Sequence, residues 1–400
     1  MRVCMVAYTF YETDNRVRRY AETLVRRGDD VDAIVLQQEG KSSFEIVNGV
    51  HVYRIQKRVR DEKSPFRYLG KLLLFLLRSA WAVTARHMNA RYDVIHVHSV
   101  PDFEVFATLI PRLMGAKVIL DVHDIVPELY ASKFKVSEHS IVFRLLLLIE
   151  KLSIAYSSHV IIANHLWYQK LIQRAVQKAK CTAIINYPDP SIFYGRPRTA
   201  PATSDFVMCY PGTLNSHQGV DLAIGAVAAL RDQAPNLKLL IIGDGPDREK
   251  LKAMIEREGL GDRVRLMGLI PMEEVATTMA NVELGVVPKR KNSFGNEAFS
   301  TKIMEFMAMG VPVVVSNTRI DQYHFNDRLV QFFESGDVAD LAARIKLLMA
   351  DSAKRDMLRL NGLAFIEQNN WDVRKSEYLD LVDSLVDRSR DARVGTVSEY

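Results

Sequence analysis

Short apolar runs alternate with amphipathic stretches along most of the chain, the pattern left by strand–helix repeats of a parallel α/β protein. Strand-like runs lie at Val3–Ala7, Val31–Leu36, Val94–Val97, Lys117–Leu120 and His159–Ala163. The pattern lapses after Asn186, in YPDPSIFYGRPRTAPATSD, which is rich in Pro, Ser, Thr and Asp and reads as a linker. A second series follows at Phe206–Tyr210, Leu237–Ile242, Val264–Met267, Val282–Val287 and Val311–Val315. Helical stretches separate these runs, among them Asp247–Glu258. A final amphipathic helix is expected from Trp371 to about Arg388, with the last dozen residues frayed. The pattern predicts two parallel α/β domains, residues 1–187 and 205–370, with a linker at 188–204.

Each series reads as a Rossmann-like domain, and 400 residues suffice for two, each with a substantial core. Ligands of open parallel sheets bind off the carboxyl ends of the strands, so two such domains facing one another would make a deep cleft. At 48% apolar and 25% charged, the composition is that of an ordinary globular protein. Cys4, Cys181 and Cys209 are scattered and lack metal-ligand spacing, which predicts reduced structural thiols in a cytosol-like compartment. The chain opens directly into MRVCMVAYTF, without charged leader, long apolar core or cleavage site, so no secretory signal is expected. The longest apolar runs, Leu72–Leu77 and Leu145–Ile149, fall short of the ~20 residues that cross a bilayer.

The net charge of +5 is unevenly spread. From Arg54 to Arg91 basic residues such as Lys57, Arg58, Arg60, Lys63, Lys71 and Arg78 interleave with Leu72, Phe75 and Trp81, against only Asp61 and Glu62. Such a segment either rests on an anionic membrane surface or packs one side on a core with a solvated basic face. Nothing in it resembles an aromatic-basic nucleic-acid motif, and no nucleic-acid partner is expected.

The chemistry is expected in loops after strands. Gly243-Asp244-Gly245-Pro246 follows Leu237–Ile242, and Gly212-Thr213 with His217-Gln218-Gly219 follows Phe206–Tyr210. Glycine there lets backbone approach a ligand closely. His123 follows Lys117–Leu120, placed to donate to a sugar hydroxyl or phosphate. The stretch from Phe294 to Ser316 carries the sharpest signal. Ser300 and Thr301 are N-cap candidates for a helix over Lys302–Met309, whose unpaired N–H groups and partial positive charge suit a diphosphate. Glu297 precedes that anion site and Glu305 lies a turn inside the helix. Two carboxylates so spaced can grip hydroxyls on either side of one diphosphate, although a capped helix with two solvated glutamates gives the same pattern. No P-loop, Ser-His-Asp order or His/Cys metal cluster is visible, and no metal or other cofactor is expected.

Together these elements resemble the retaining nucleotide-sugar glycosyltransferases of family 4, which have the GT-B fold. The resemblance rests on Glu297–Ser316, on IIGDGP ending at Pro246, on Val264–Ile270, on DVIHVH at Asp93–His98, on KVILDVHD at Lys117–Asp124, and on Asn370-Trp371. Asp14-Asn15-Arg16-Val17 with Ala21-Glu22 and Gly28 resembles the opening of members acting on bacterial polysaccharides. The resemblance implies two Rossmann-like domains across a deep cleft, with the C-terminal helix 371–388 packing back on the first. It implies transfer from a nucleoside-diphosphate sugar to a glycan or lipid-linked acceptor, with retention; the scattered cysteines and the basic segment Arg54–Arg91 add the expectation of a cytoplasmic protein at the inner face of the cell membrane.

It also assigns roles. Glu305 would hold the donor's ribose and Glu297 its sugar hydroxyls, with N–H groups of Ala298, Phe299 and Ser300 over sugar and diphosphate. Lys302 would neutralise the leaving group, His123 would face the transferred sugar, and Gly212 and Gly219 would line the phosphate side. Leu269 and Ile270 would border the base, and Asn15 and Arg16, in the first loop, would lie near donor phosphate or acceptor. The Arg and Lys that many members carry after the first strand of the second domain are here Thr213 and Gln218. Lys302, Arg290, Lys291 or His217 could supply the charge. The Gly-Gly pair often found in the first loop is also replaced, by residues Glu12 to Asn15. Two other readings stay open, a sugar-nucleotide epimerase of the same fold and a non-catalytic nucleotide-sugar-binding protein.

Overall fold

The computed structural model describes residues 1–57, 65–134, 137, 139–196, 205–292 and 294–395. The chain divides into two compact units, Met1–Asn186 with Lys375–Tyr400, and Tyr187–Arg374. The first unit's strands are β1 (Arg2–Ala7), β2 (Asp30–Gln37), β3 (Phe44–Val47), β4 (Val50–Lys57), β5 (Val94–His98), β6 (Lys117–Val122), β7 (His159–Ile162) and β8 (Cys181–Ala183). Its helices are α1 (Asn15–Arg27), α2 (Pro65–Asn89), α3 (Leu109–Leu113), α4 (Val126–Phe134), α5 (Ile141–Tyr156) and α6 (His165–Arg174). The second unit holds β9 (Phe206–Pro211), β10 (Leu237–Ile242), β11 (Val264–Gly268), β12 (Leu284–Val287), β13 (Val313–Ser316) and β14 (Gln331–Phe333). Between and after them run α7 (Val220–Ala229), α8 (Arg248–Arg257), α9 (Met272–Ala280), α10 (Thr301–Ala308), α11 (Arg319–His324), α12 (Val338–Ala350), α13 (Ser352–Gln368) and α14 (Trp371–Gly395).

The first sheet is ordered β3-β4-β2-β1-β5-β6-β7-β8 and the second β11-β10-β9-β12-β13-β14. The central strands are buried on both faces, which is why they read as continuous apolar runs. One pairing is not parallel. β3 runs antiparallel to β4 at the edge, joined by Asn48-Gly49 with φ of 50° and 82°. That dipeptide is a strong hairpin signal, because both turn residues need positive φ. β3 itself alternates exposed and half-buried positions and shows no apolar run.

Three expectations change. The C-terminal helix continues past Arg388 to Gly395, since the segment Asp387–Val394 contains no helix breaker; residues 396–400 lie outside the described residues. From Lys375 onward it belongs to the first unit, where Tyr378 packs on Tyr20 with ring centroids 4.4 Å apart. The described part of the linker, Pro188–Arg196, belongs to the second unit, where the Pro188 carbonyl accepts from the Trp371 N–H at 3.0 Å; residues 197–204 lie outside the described residues. Finally, residues Arg67–Asn89 of α2 are long and apolar enough to cross a membrane, with mean hydropathy 1.3, although no single unbroken run is. Charged residues interrupt the runs while the helix as a whole stays apolar. Cys4, Cys181 and Cys209 are free and buried, and burial pushes the Cys181 thiol up to about 12.

Candidate functional site

In the second unit β9, β10 and β11 succeed one another in one direction and β12, β13 and β14 in the other. The switch point falls between β9 and β12, where a crevice opens beyond the strand ends. The loops leaving these two strands meet there. A Cβ on Gly219, whose φ is +66°, would fall 2.0 Å from the Pro288 carbonyl oxygen, so only glycine fits. A Cβ on Gly212 would fall 2.3 Å from Lys302 Cε, so this glycine makes room for the lysine. Gly243 and Gly245 serve the scaffold: their missing Cβ atoms would strike Gly212 and Leu214 backbone at 2.0 and 2.3 Å. What comes close at that turn is the neighbouring loop.

The helix α10 begins at Thr301, with Ser300 at the N-cap position, but the Ser300 side chain caps nothing. Its buried Oγ has no partner among the described residues. The backbone N–H groups of Phe299, Ser300, Thr301 and Lys302 also lack an acceptor among the described residues, whereas that of Ala298, expected to be free, donates to the Phe294 carbonyl at 2.9 Å. Four consecutive free N–H groups at a helix start form an anion site. Lys302 lies beside it, with Nζ 3.4 Å from Gln218 Oε1 and 5.6 Å from the Tyr210 ring centre. Burial depresses Lys302 to about 8, with Glu305 opposing the fall. Burial raises the Glu305 carboxyl, while Lys302 and a hydrogen bond with Thr301 hold it down. Glu297 is half-buried, its Oε1 3.4 Å from Arg319 Nη1. Leu269 is exposed and Ile270 half-buried beyond β11, Thr213 is exposed, and the Phe299 ring packs on His324 with centroids 4.8 Å apart.

Of the other cations near this crevice, Arg290 is paired with Asp221 and Lys291 with Glu334 at 3.0 Å. Burial pushes His217 down to about 4, helped by Lys302 and Lys289. Sequence reasoning missed Lys289 altogether. It is buried, pairs with buried Asp321 at 3.0 Å and donates to the Ala298 carbonyl at 2.6 Å. The pair thus holds the loop before α10 from below.

The first unit gathers a different cluster. The β5–β6 register sets His98 opposite Asp121, His96 lies two residues back on the same face of β5, and His123 follows directly after the end of β6. Asp121 Oδ2 lies 2.9 Å from His123 Nε2, 3.3 Å from His98 Nδ1 and 3.5 Å from His96 Nε2. His96 Nδ1 reaches the Tyr378 hydroxyl at 3.0 Å. The three imidazoles hold the Asp121 carboxyl well below the usual carboxylate range against burial. Burial lowers the histidines, His96 to about 4. Ionised, Asp121 is an acceptor only, and His123 Nε2 is the ring nitrogen nearest to it. His123 lines a cavity of about 210 Å³ with Arg16, Asp14 and Tyr68 among its walls. Asn15 and Arg16 form the first turn of α1, not a loop, with Asp14 capping through the Arg16 N–H at 3.1 Å. His96, His98 and Asp121 offer donor atoms within 4.8 Å of one another, a cluster invisible in the sequence because three strand positions build it.

Residues 13–186 match the Glycosyl transferase 4-like domain, and residues 195–364 match Glycosyl transferases group 1. Neither matched family is one of epimerases. The chain is 24% identical over 327 residues to a human phosphatidylinositol N-acetylglucosaminyltransferase chain, covering 80% of this chain and 62% of that one. It is 29% identical over 152 residues to the putative colanic acid biosynthesis glycosyltransferase WcaL of Escherichia coli, covering 38% of this chain and 37% of that one. The chain thus spans less than two thirds of the length of these curated relatives. Among solved structures, sucrose-phosphate synthase from Thermosynechococcus elongatus has TM-score 0.78 at 21% identity, over 96% of this chain and 99% of that one. Anabaena HepE in complex with UDP-glucose has TM-score 0.68 at 17% identity, over 98% and 99%. At such identities the likeness is one of fold, the GT-B fold. With a 4-like domain matched in its first unit and a group 1 domain in its second, the chain belongs to the family 4 type of glycosyltransferases.

Proposed function

We propose that the protein transfers a sugar, with retention, from a nucleoside-diphosphate sugar to a hydroxyl of a glycan or lipid-linked acceptor. The observation that carries this reading is the start of α10, with four N–H groups and a buried Ser300 hydroxyl that have no partner among the described residues, and Lys302. Cleavage of the anomeric C–O bond builds negative charge on the diphosphate, and donors already fixed at a helix start stabilise it without reorganising. Lys302 supplies the cation that Thr213 and Gln218 do not. Glu305 takes the ribose hydroxyls, Glu297 the sugar hydroxyls, and Leu269 with Ile270 the base. HepE, crystallised with UDP-glucose, supports a nucleotide sugar as donor. These residues supply the charge stabilisation themselves, so activity should survive a chelator. His123 serves as a hydroxyl partner in the first unit. We place the protein in the cytoplasm, in peripheral contact with an anionic membrane through the basic α2; Arg58, Arg60 and Lys63 lie outside the described residues.

Incubation with UDP-, GDP- and other nucleotide sugars tests the reading. Slow release of nucleoside diphosphate supports it; epimerised donor, or binding without turnover, identifies one of the two alternatives. Lys302→Ala is expected to cost about 2–4 kcal/mol of transition-state stabilisation, read in kcat/KM. Glu305→Ala should weaken donor binding by about 1.5–3 kcal/mol with little change in turnover, and His123→Ala should do the reverse. Unchanged donor affinity in Glu305→Ala removes the ribose assignment.

A further inference from the structure

The helices α2, α3 and α5 lie in connections that each step the same way along the first sheet, so right-handed crossovers put all three on one face. The segment Asp102–Thr108 leading into α3 packs against α2 on one side and α5 on the other. All three turn an apolar row outward. On α2 the row is Leu69, Leu73, Leu77 and Trp81, four residues apart, with Leu77 68% and Trp81 74% exposed. Leu109 and Leu113 continue it on α3, Leu113 at 77%. On α5, Ile141, Leu145, Leu148 and Leu152 repeat the helical spacing and are all exposed. A monomer rarely leaves so extended an apolar face in water.

Charge identifies what covers it. α2 and α3 contain no acidic residue, and those of the segment Asp102–Thr108 and of α5, Asp102, Glu104 and Glu150, are all buried. Every exposed charge on these elements is therefore positive, including Arg67, Arg78, Arg112, Arg144 and Lys151. A second copy seated symmetrically would set these cations against themselves. An anionic bilayer satisfies both features, taking apolar rows at the acyl boundary and cations at the head groups. α2 does not cross the bilayer in this fold. Its other side is fixed to the unit by Phe75, 5.1 Å from the Tyr8 ring centre, and by Ser79 bonded to buried Glu104.

We propose that the α2–α3–α5 face embeds shallowly in an anionic membrane, going beyond the basic contact of α2 by adding two further apolar helices. The full chain carries its own reporter. Trp167 and Trp371 are buried, so Trp81 is the exposed one of three tryptophans. Mixing with phosphatidylglycerol–phosphatidylcholine vesicles should shift its emission to the blue, sediment the protein, and persist in weakened form at about 0.5 M salt. Leu148→Asp on α5, at an exposed position, should lower vesicle affinity about tenfold or more while the melting curve and donor binding stay as in wild type. Four results would overturn the inference: no emission shift with any vesicle, complete loss of binding at high salt, wild-type vesicle affinity in Leu148→Asp, or a blue shift that follows protein concentration without lipid. No readout involves sugar transfer, so failure of the transferase reading leaves this test intact.

Discussion

In the first unit a carboxylate, Asp121, meets three imidazoles, two from β5 and one from just beyond β6, and the His96 ring reaches on to Tyr378 of the C-terminal helix. In the second unit the start of α10 offers mostly backbone, with one lysine threaded past a glycine. The first is a side-chain network whose charge state sets which ring atom is offered to a ligand. The second is a set of fixed dipoles that needs no proton to work and is held in place by a buried ion pair. The two constructions should therefore fail differently, the second by loss of its foundation and the first by acid.

The largest effect is expected at that foundation. Lys289→Met leaves Asp321 buried without its cation, and should destabilise the protein by about 3–5 kcal/mol in denaturant unfolding. Adding Asp321→Leu should recover much of the loss, since two apolar side chains leave no uncompensated charge. The double variant should still bind nucleotide more weakly than wild type, because the Ala298 carbonyl loses the donor that fixes the loop. Wild-type stability in Lys289→Met would show that the α10 start does not rest on this pair.

Acid tests the first unit. Burial holds His96 near 4, below the ordinary 6.5. Above pH 6.5 both folded and unfolded forms are neutral and the stability is whole. As pH falls from 6.5 towards 4 the unfolded chain takes up a proton that the folded one refuses, so stability declines by up to about 1.4 kcal/mol per pH unit for each such histidine. Asp121, held low, loses its contribution only below the ordinary carboxylate range and does not act in that window. Urea midpoints in wild type should fall across the window, and His96→Gln, which keeps a donor but does not titrate, should flatten the slope. A slope unchanged in His96→Gln would move the acid sensitivity to His98 or His123.

The same contrast decides how much can be read from the chain. Glu297, Ser300, Lys302 and Glu305 fall within nine residues, so one helix start brings them together and local pattern exposes them. Lys289 and Asp321 are 32 positions apart, and each alone looks like one more solvated charge in a chain that is 25% charged. In the first unit the period of two places His96 with His98, and Asp121 with His123, but the register bringing those pairs into contact is a property of the sheet. Of the four, His123 stands out in the sequence because it follows the apolar run Lys117–Leu120 at a strand end. The β3–β4 hairpin is legible at Asn48-Gly49, but β3 lacks the long apolar run that marks the buried strands.

The smallest effect is the one that most directly separates dipoles from the lysine. Lys302 sits near 8 because burial outweighs the attraction of Glu305. A diphosphate favours the ammonium form, so binding takes up no proton well below about pH 8 and one proton well above it. The dissociation constant of a nucleoside diphosphate should be level from pH 7 to about 7.5, then rise by up to about tenfold per unit beyond about pH 8.5. In Lys302→Met the N–H groups of the helix start remain, so binding should be weaker at pH 7 but no longer depend on pH in this range. Isothermal titration in buffers of different ionisation enthalpy reads the proton uptake directly. Uptake that persists in Lys302→Met would assign the titration to another group and leave the helix start holding the diphosphate without this lysine.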